Sequence, residues 1–592
     1  MPNSFDDEEE EVPLRRNGLR TRRPWLRWVF IGFLVWLIAA AILLISGYSD
    51  ARAAQRHVSS LQGEATTDAV RNGEVDAELA TTARTIRSAH NKFANPVLYP
   101  VRVIPFVGRQ LRSAIAVTGV AADVAETGVD AFGELHEVED KLKTDRAGGL
   151  RDLAEIARRA SEKLDSADLG PDTALLGPLA KARNETAQQL LTVRSSLKQG
   201  GSGAESLADL LEKNQKYLLL VANNGEMRAG SGMFLSTGVV QGQNGRLSLS
   251  ELRTNRFDAR SDSLVEWPKD LQDRWGWMGR QGDYRNLMLS PRFDVAAPLA
   301  NEIWRKRGGE QVDGVIAVDP VFFRSVLRAT GPITVDGESL SADNVLTKLM
   351  VDQYRDIDLT KSTVNAQLER RESLAGIAQG AFAALDAGRW DPATMAREMS
   401  AAANGRHLMV WASGEQQNKL WVDAGLSGDL SSDSLMVSSS NVGANKMDQF
   451  MKISANLDSR VGQSGQDIAL AVTIKNDMPE GLPGYVTGPT PNLNLTKGEY
   501  SGFLTVNTPA DSKDLRIDGK PPLVALGPDG PTQTIATAVR IKPGETRTFV
   551  IKFTRSSKAQ KTIVEPSGRW PATSWTSGSS NWVDDTAHLV QH

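Results

Sequence analysis

The chain has 592 residues, and 68 lysines and arginines stand against 72 aspartates and glutamates, so its formal net charge is −4. This near balance excludes a generally basic nucleic-acid-binding protein, which needs a strong positive excess. The absence of cysteine excludes disulfides, thiol nucleophiles and cysteine-ligated metal sites. The length predicts about three to five domains.

The first fifty residues predict a membrane anchor. Residues 28–49 carry no charged side chain, and as a helix these 22 residues span roughly 33 Å at about 1.5 Å per residue, enough to cross the hydrocarbon core. A cleavable signal peptide is the alternative, but its apolar region is shorter, and only a weak cleavage site follows near residues 52–53. Six arginines precede the span, so the positive-inside rule places residues 1–27 in the cytoplasm. The rest of the chain is expected outside the plasma membrane.

Residues 50–213 predict a helical stalk. Between Gly108 and Lys216 the single aromatic residue is Phe132, and apolar residues recur at helical spacing among alanine, glutamate and arginine. Such narrow apolar stripes are typical of long antiparallel helices. The glycine- and serine-rich stretch 199–206 predicts a flexible linker that ends the stalk.

A proline-rich apolar segment, residues 93–108 (FANPVLYPVRVIPFVG), interrupts the helical pattern. It is either a packed connector between helices or a contact with the membrane surface. The connector is favoured, because exposed apolar patches are uncommon, although they are informative when they occur.

Strands alternate with helices over residues 214–446, which predicts a layered α/β domain. Asp319 is expected to cap the helix 321–330, with Pro320 in its first position. The Asn244-Gly245 turn predicts a hairpin. The predicted strands of this domain are residues 217–223, 233–241, 246–252, 312–320 and 406–413. Its other predicted helices are residues 341–354 and 363–385.

Residues 447–592 predict an immunoglobulin-like β-sandwich, because alternating apolar and polar residues are separated by turns rich in proline and glycine. The last 36 residues are rich in serine, glycine and tryptophan. They are either a loose tail or a final strand that packs its tryptophans.

The best candidate ligand site follows the first buried strand, in the glycine-rich stretch 223–238. No nucleotide-binding loop or hydrolase elbow motif occurs in the chain. A glycine turn at the carboxyl end of a strand can offer backbone N–H groups to an anion, and Arg228 adds a charged, forked donor. The alternative is a tight connection between strands, whose glycines only allow close packing. The residues leave both interpretations open.

Further arginines recur at predicted strand and helix ends. Each alone is expected to be a solvated surface charge, but three or more on one cleft would form a credible pyrophosphate site. These arginines are Arg253, Arg256, Arg285, Arg292, Arg355, Arg370 and Arg371.

Several motifs in combination resemble a family of uncharacterised, single-span membrane proteins common in actinobacteria. They are YLLLVANNGEMRAGSGMF, VDGVIAVDPVFFRSVLRATGPITV, SSSNVGANKMDQF and NDMPEGLPGYVTGP. More distantly, residues 214–385 resemble the LytR-CpsA-Psr phosphotransferases, which attach polyprenyl-pyrophosphate-linked glycans to peptidoglycan outside the membrane.

The distant resemblance implies that Arg228, Arg253 or Arg256, Arg355 and Arg370 face a lipid pyrophosphate. With Ser231 of the glycine turn, these residues are the candidate ligand site. Gly230-Ser231-Gly232 stands where that family has an Arg-Ser-Asp triplet, so the resemblance does not extend to the acidic residues that metal binding and catalysis require. We therefore expect no resident cofactor, and nothing in the sequence supports a divalent metal accompanying the pyrophosphate.

Two functions compete. The first is a membrane-anchored cell-envelope protein that binds, and as an enzyme would transfer, polyprenyl-pyrophosphate-linked glycan. The alternative is a non-catalytic scaffold that binds envelope glycan such as peptidoglycan, or partner proteins, through the stalk and the β domain. The sequence favours binding over turnover, because it identifies no acid–base pair or nucleophile.

Overall fold

The computed structural model describes residues 35–51, 74–255, 264–279, 281–355, 364–462, 465–489, 493–559 and 561–591. The chain divides into two compact units. The first contains residues 1–129 and 166–191, and the second contains residues 130–165 and 192–592. Two long helices, Val107–Thr144 and Gly177–Glu212, have residues in both units.

The first unit is helical. Residues 35–51 form helix α1, and a small core of Ala40, Phe93, Leu98, Val101 and Leu111 packs beside it. The helices that follow α1, up to the start of the first sheet, are α2 (Glu74–Ala94), α3 (Tyr99–Arg102), α4 (Val107–Thr144), α5 (Arg146–Asp165) and α6 (Gly177–Glu212). The predicted N-terminal helical region is confirmed.

No helix in the described ranges is both long enough and apolar enough to cross a membrane. Residues 1–34 lie outside the described part of the chain, so the predicted cytoplasmic tail and the start of the predicted span, residues 28–34, are not seen. The remainder of that span, residues 35–49, belongs to α1.

The predicted flexible linker at residues 199–206 is wrong, because these residues lie inside α6. Gly201 faces α5 so closely that a Cβ atom there would lie 3.1 Å from Cβ of Ala157, and Ser206 is fully buried. Packing against neighbouring helices thus outweighs the low helix propensity of glycine.

The predicted α/β domain is confirmed as a mixed sheet with helices. Its sheet has the order β3-β2-β1-β5-β8, and β4 pairs with β2; β1 and β5 are parallel and the other pairs are antiparallel. The strands are β1 (Lys216–Arg228), β2 (Ser231–Gln243), β3 (Arg246–Leu249), β4 (Arg253–Thr254), β5 (Gly314–Val318) and β8 (Leu408–Ala412), with the small hairpin β6 (Ile333–Val335) and β7 (Glu338–Leu340) beside them. The helices are α7 (Lys269–Trp275), α8 (Phe293–Lys306), α9 (Pro320–Thr330), α10 (Val345–Met350), α11 (Val364–Ala387), α12 (Pro392–Asn404) and α13 (Glu415–Asp423).

Strand β1 is the centre of this domain and is covered on both faces. Leu218 and Leu220 belong to the core that contains α8, whereas Leu219 and Val221 belong to the core that contains α9. Successive strand residues point to opposite faces, so a continuous apolar run is what a strand between two helical layers requires.

Helix α9 begins where the sequence predicts. The carboxylate of Asp319 accepts hydrogen bonds from the backbone N–H groups of Val321 (2.8 Å) and Phe322 (3.1 Å). Pro320, which has no N–H to satisfy, occupies the first position of the helix. This cap places the start of α9 directly after the carboxyl end of β5.

The carboxyl-terminal region contains two six-stranded sheets, ordered β13-β16-β11-β10-β18-β19 and β14-β15-β12-β9-β17-β20, whose residues share one hydrophobic core. The strands are β9 (Ser434–Asn441), β10 (Met451–Val461), β11 (Gln466–Asn476), β12 (Tyr500–Pro509), β13 (Lys513–Ile517), β14 (Leu523–Asp529), β15 (Thr532–Ile541), β16 (Thr546–Arg555), β17 (Lys561–Val564), β18 (Ser574–Ser577), β19 (Ser580–Val583) and β20 (His588–Gln591), with the short helix α14 (Gly484–Thr487) between β11 and β12.

Two features of this region differ from or sharpen the sequence prediction. Strand β9 lies before the predicted boundary at residue 447, yet it pairs with β12 and β17 inside the second sheet. The last residues are not a loose tail: they form the final strands, and Trp575 and Trp582 stack with their ring centroids 6.0 Å apart.

Candidate functional site

A cavity opens beside β1 in the α/β domain, at the level where the parallel neighbour β5 has ended. Its walls come from β1, β2, the residues around β4, and helices α9, α10 and α11. The carboxyl ends of parallel strands are where ligands bind in open α/β sheets, because helices and loops diverge there.

The lining of this cavity is mainly apolar, and its volume of about 50 Å³ is several times the roughly 10–15 Å³ that one water molecule needs. The space therefore fits a short hydrocarbon segment, with a few polar atoms to orient it. The apolar lining residues are Val221, Ala222, Leu235, Leu252, Pro320, Phe323, Leu349 and Ala375, and the polar ones are Asn223, Ser236, Thr254, Gln353 and Tyr354.

The polar wall is held in place by hydrogen bonds. The amide Nδ2 of Asn223 donates to the hydroxyl of Tyr354 (3.1 Å), while its Oδ1 accepts from the backbone N–H of Gly225 (2.8 Å). Tyr354 itself stacks on Tyr485, with ring centroids 5.1 Å apart and planes 7° from parallel. One wall of the cavity is thus fixed by a residue of the carboxyl-terminal region.

A buried ion pair lies behind Tyr354. The ammonium of Lys446 contacts the carboxylate of Glu226 and lies 4.9 Å from the ring centroid of Tyr354 and 5.4 Å from that of Tyr485. Burial disfavours the charged form of Lys446, but the attraction of Glu226 and the two tyrosines is stronger, so its pKa is raised. The lysine is therefore charged at neutral pH.

A second polar cluster surrounds the cap of α9. Oδ2 of Asp319 accepts from Nδ2 of Asn224 (2.8 Å) and contacts Nδ1 of His407 (2.6 Å), and the Asn224 amide also donates to the carbonyl of Gly568 (2.7 Å). Both Asp319 oxygens are engaged by protein groups. This cluster therefore serves to join β1, α9, β8 and the carboxyl-terminal segment.

Two of the predicted arginines are sequence neighbours of cavity-lining residues. Arg253 lies between the lining residues Leu252 and Thr254, and Arg355 follows Tyr354 directly. Both are exposed, and the guanidinium of Arg355 pairs with Asp352 at 2.8 Å.

Two further predicted arginines, Arg256 and Arg370, have side chains outside the described part of the structure. Arg256 lies outside the described residues. Arg370 belongs to α11, the helix that supplies Ala375 to the cavity, but its side chain is outside the described part of the structure.

Arg228 occupies a different environment. Its guanidinium donates to the backbone carbonyls of Met227 (3.0 Å), Arg285 (3.0 Å) and Asn441 (2.7 Å), and burial lowers its pKa. The side chain therefore links β1 to β9 and to the segment before α8. These contacts do not support the predicted role of Arg228 as an anion ligand.

The glycine turn beside Arg228 also favours close packing. Arg228 pairs with the buried Ser231 across a hairpin. A Cβ atom at Gly230 would lie 2.7 Å from Cα of Pro291, and one at Gly232 would lie 2.4 Å from the carbonyl of Asn223. No side chain fits at either glycine, so an aspartate at position 232 is excluded by the backbone.

A metal site finds no support in the described ranges, where no group of three or more histidine, aspartate or glutamate side chains is placed to hold an ion. The sequence analysis included Asn223 and Glu226 in the candidate stretch 223–238 without assigning them a role, and it missed Tyr354 and Lys446. Glu226 and Lys446 are the charged residues of two motifs of small and polar residues, NNGE and NVGANK, and this contrast could have drawn attention to them. Their pairing across more than two hundred residues cannot be predicted from sequence spacing.

The fold and the cavity define a mixed-sheet α/β domain with a small, mostly apolar cavity. Residues 212–354 match a family described as "Protein of unknown function (DUF4012)". The matched range contains every cavity-lining residue except Ala375. No curated protein and no solved structure matches the chain.

Proposed function

We propose that this is a membrane-anchored cell-envelope protein, facing outward, whose α/β domain binds an anionic amphiphile of the polyprenyl-pyrophosphate class that carries a glycan. The observation that carries the proposal is the cavity with its apolar lining, together with the exposed Arg355 that directly follows the lining residue Tyr354. An apolar chain favours the lining, and a pyrophosphate favours a neighbouring guanidinium, so a ligand with both parts matches both features.

Arg355 is the main contact for the charged head in this proposal. It follows a lining residue directly, and more than half of its side chain, 58%, is exposed. Arg253 is not a contact in this proposal, because side chains alternate along a strand and its neighbour Thr254 lines the cavity, so Arg253 points away from it. The ion pair of Arg355 with Asp352 is on the surface, so it can be exchanged for a phosphate at small expense in free energy.

Binding, rather than transfer, is the activity that the local geometry favours. The acidic residue of the Arg-Ser-Asp triplet would fall at Gly232, where the backbone of Asn223 leaves no space for a side chain. The LytR-CpsA-Psr resemblance therefore supports the ligand class without supplying the acid. The shared core of the two carboxyl-terminal sheets supports a sandwich that braces Tyr354 through Tyr485.

The test is the affinity of the detergent-solubilised full chain for farnesyl pyrophosphate, with free pyrophosphate and farnesol as the two half-ligands. We expect the complete amphiphile to bind at least tenfold more tightly than either half. Arg355→Ala should weaken its binding by roughly tenfold, since a charge-assisted hydrogen bond contributes about 1.5–3 kcal/mol and about 1.4 kcal/mol is a factor of ten.

Arg460→Ala is the matched control, because Arg460 is also exposed and also pairs with a nearby aspartate, Asp458, in the carboxyl-terminal region. Binding of neither the amphiphile nor its halves would reject the proposed function. Equal losses in the Arg355 and Arg460 variants would place the charged head elsewhere.

A further inference from the structure

The proline-rich segment of the first unit carries an exposed apolar surface. We define the proline segment as residues 95–107. Val103 is 81% exposed, and the other exposed apolar side chains of the segment are Val97, Tyr99, Ile104, Phe106 and Val107. A packed connector would bury these side chains, so the structure disagrees with the connector interpretation.

The proline segment is attached to one side of α1. The indole Nε1 of Trp36 donates to the carbonyl of Val97 at 2.7 Å. Ala40 packs in one core with Leu98 and Val101. The segment and α1 therefore form one body within the first unit.

The other side of α1 is exposed and equally apolar. Its exposed large side chains are Val35, Leu37, Ile38, Ile42 and Ile45. They belong to the charge-free stretch 28–49 that the proposed anchor places in the bilayer. The proline segment thus belongs to the same body as a helix face whose partner, in the proposed function, is lipid.

The chemistry of the proline segment also suits a lipid surface. Pro96, Pro100 and Pro105 have no backbone N–H, which reduces the number of donors that would need a partner away from water. The N–H groups of Leu98 and Ile104 donate to carbonyls within the segment or next to it. The irregular backbone is therefore compatible with an apolar environment.

The aromatic and cationic groups of the proline segment pair with each other and with the backbone. The guanidinium of Arg102 lies 4.4 Å from the ring centroid of Tyr99 and donates to the carbonyl of Ala94 (2.8 Å). Arg109 donates to Thr173, so that side of the segment is covered by polar protein groups and the apolar side chains remain the free surface.

We propose that the proline segment contacts the lipid of the bilayer beside α1, as a second attachment of this unit to the membrane. This inference rests on the membrane anchor of the proposed function. The occupant of the surface is the acyl chains beside Trp36 and Ala40, the residues of α1 that the proline segment contacts, and the contact would fix the orientation of the first unit relative to the membrane.

The chain has no cysteine, so single labels can be placed without background. The full chain is reconstituted into vesicles of phosphatidylcholine and phosphatidylglycerol with an environment-sensitive fluorophore at Val103→Cys, Ile42→Cys or Lys181→Cys. Lys181, 77% exposed in the same unit, reports on water. We expect brominated lipid to quench the labels at 42 and 103, and iodide to quench the label at 181 alone.

The outcomes separate the two proposals. Lipid quenching at 42 together with iodide quenching at 103 would overturn the contact and leave the anchor intact. Iodide quenching at both positions would overturn the anchor itself. A label at 103 that neither lipid nor iodide reaches would show that protein, such as a second copy of the chain, covers the segment.

Discussion

Two arginine-bearing regions of the α/β domain look alike in the sequence and differ in the structure. Arg228, beside the glycine turn, is buried and its guanidinium is bound to backbone carbonyls, whereas Arg355, directly after the cavity-lining residue Tyr354, is exposed. A buried arginine without exposed donors holds elements together, and an exposed one beside a cavity is available to a ligand. The surroundings of a charge, and not the residue type, separate support from binding.

The largest expected effect on stability comes from the buried ion pair of Glu226 and Lys446, which, like Arg228, holds parts of the fold together. Glu226→Gln leaves the ammonium of Lys446 buried without its counter-charge, so we expect the free energy of unfolding to fall by about 3–5 kcal/mol. Urea unfolding of the solubilised full chain, followed by tryptophan fluorescence, measures it.

The matched control is Glu545→Gln, because Glu545 pairs with Arg547 on the surface, so this substitution should lower the unfolding free energy far less than Glu226→Gln does. Equal effects of the two substitutions would show that burial of the pair has no energetic consequence. The double variant Glu226→Gln with Lys446→Met should recover much of the loss, since it removes the unpaired charge.

Arg228→Ala should have the next largest effect on stability. It removes the donors of three backbone carbonyls, and we expect a loss of about 2–3 kcal/mol in unfolding free energy with no change in affinity for farnesyl pyrophosphate measured on the folded fraction. A folded, stable Arg228→Ala variant that no longer binds farnesyl pyrophosphate would show that Arg228 contributes to ligand binding.

The sequence predicted the helices and strands better than the contacts between them. Alternation along β10 and β11 and the apolar run of β1 identify strands because burial of one or both faces imposes the pattern. The Asp319 cap is local and is equally readable. By contrast, β9 and residues 199–206 depend on packing partners far away in the chain, which override local composition.

The cavity could not be predicted for the same reason. Its lining runs from Val221 to Ala375 and comes from six parts of the chain. The sequence drew attention to Arg253 and Arg355 as charges at element ends, but it gave the same weight to Arg228. Only the fold shows which arginine is enclosed.

A buried carboxylate in the final strands predicts a pH dependence. Burial raises the pKa of Asp584 to about 7, against about 3.9 for an unfolded chain. Because the folded pKa is the higher one, the stabilisation is present at low pH and is lost as the pH rises through 7. We expect the unfolding free energy to fall by roughly 2–3 kcal/mol between about pH 5 and pH 8.

Asp584→Asn should remove that part of the pH dependence, while Asp585→Asn, at the neighbouring exposed residue, should leave it. The test is urea unfolding at a series of pH values. A wild-type stability that rises between pH 5 and pH 8 at this locus would contradict the assignment.

The smallest expected effect on stability belongs to the exposed Arg253 and Arg355. Arg253→Ala and Arg355→Ala should each change the unfolding free energy by less than about 0.5 kcal/mol, because exposed charges contribute little. The two regions would cease to differ if either substitution destabilised the chain as much as Arg228→Ala does.

The most direct test of the central claim is to fill the cavity. Ala375→Leu places three more carbon atoms against a space of about 50 Å³, whereas Ala383→Leu adds the same atoms at an exposed position of the same helix. The cavity account predicts that farnesyl pyrophosphate binds at least tenfold more weakly to Ala375→Leu and with unchanged affinity to Ala383→Leu, since about 0.8 kcal/mol is lost for each methylene displaced from the cavity. Unchanged affinity in a correctly folded Ala375→Leu variant would contradict it.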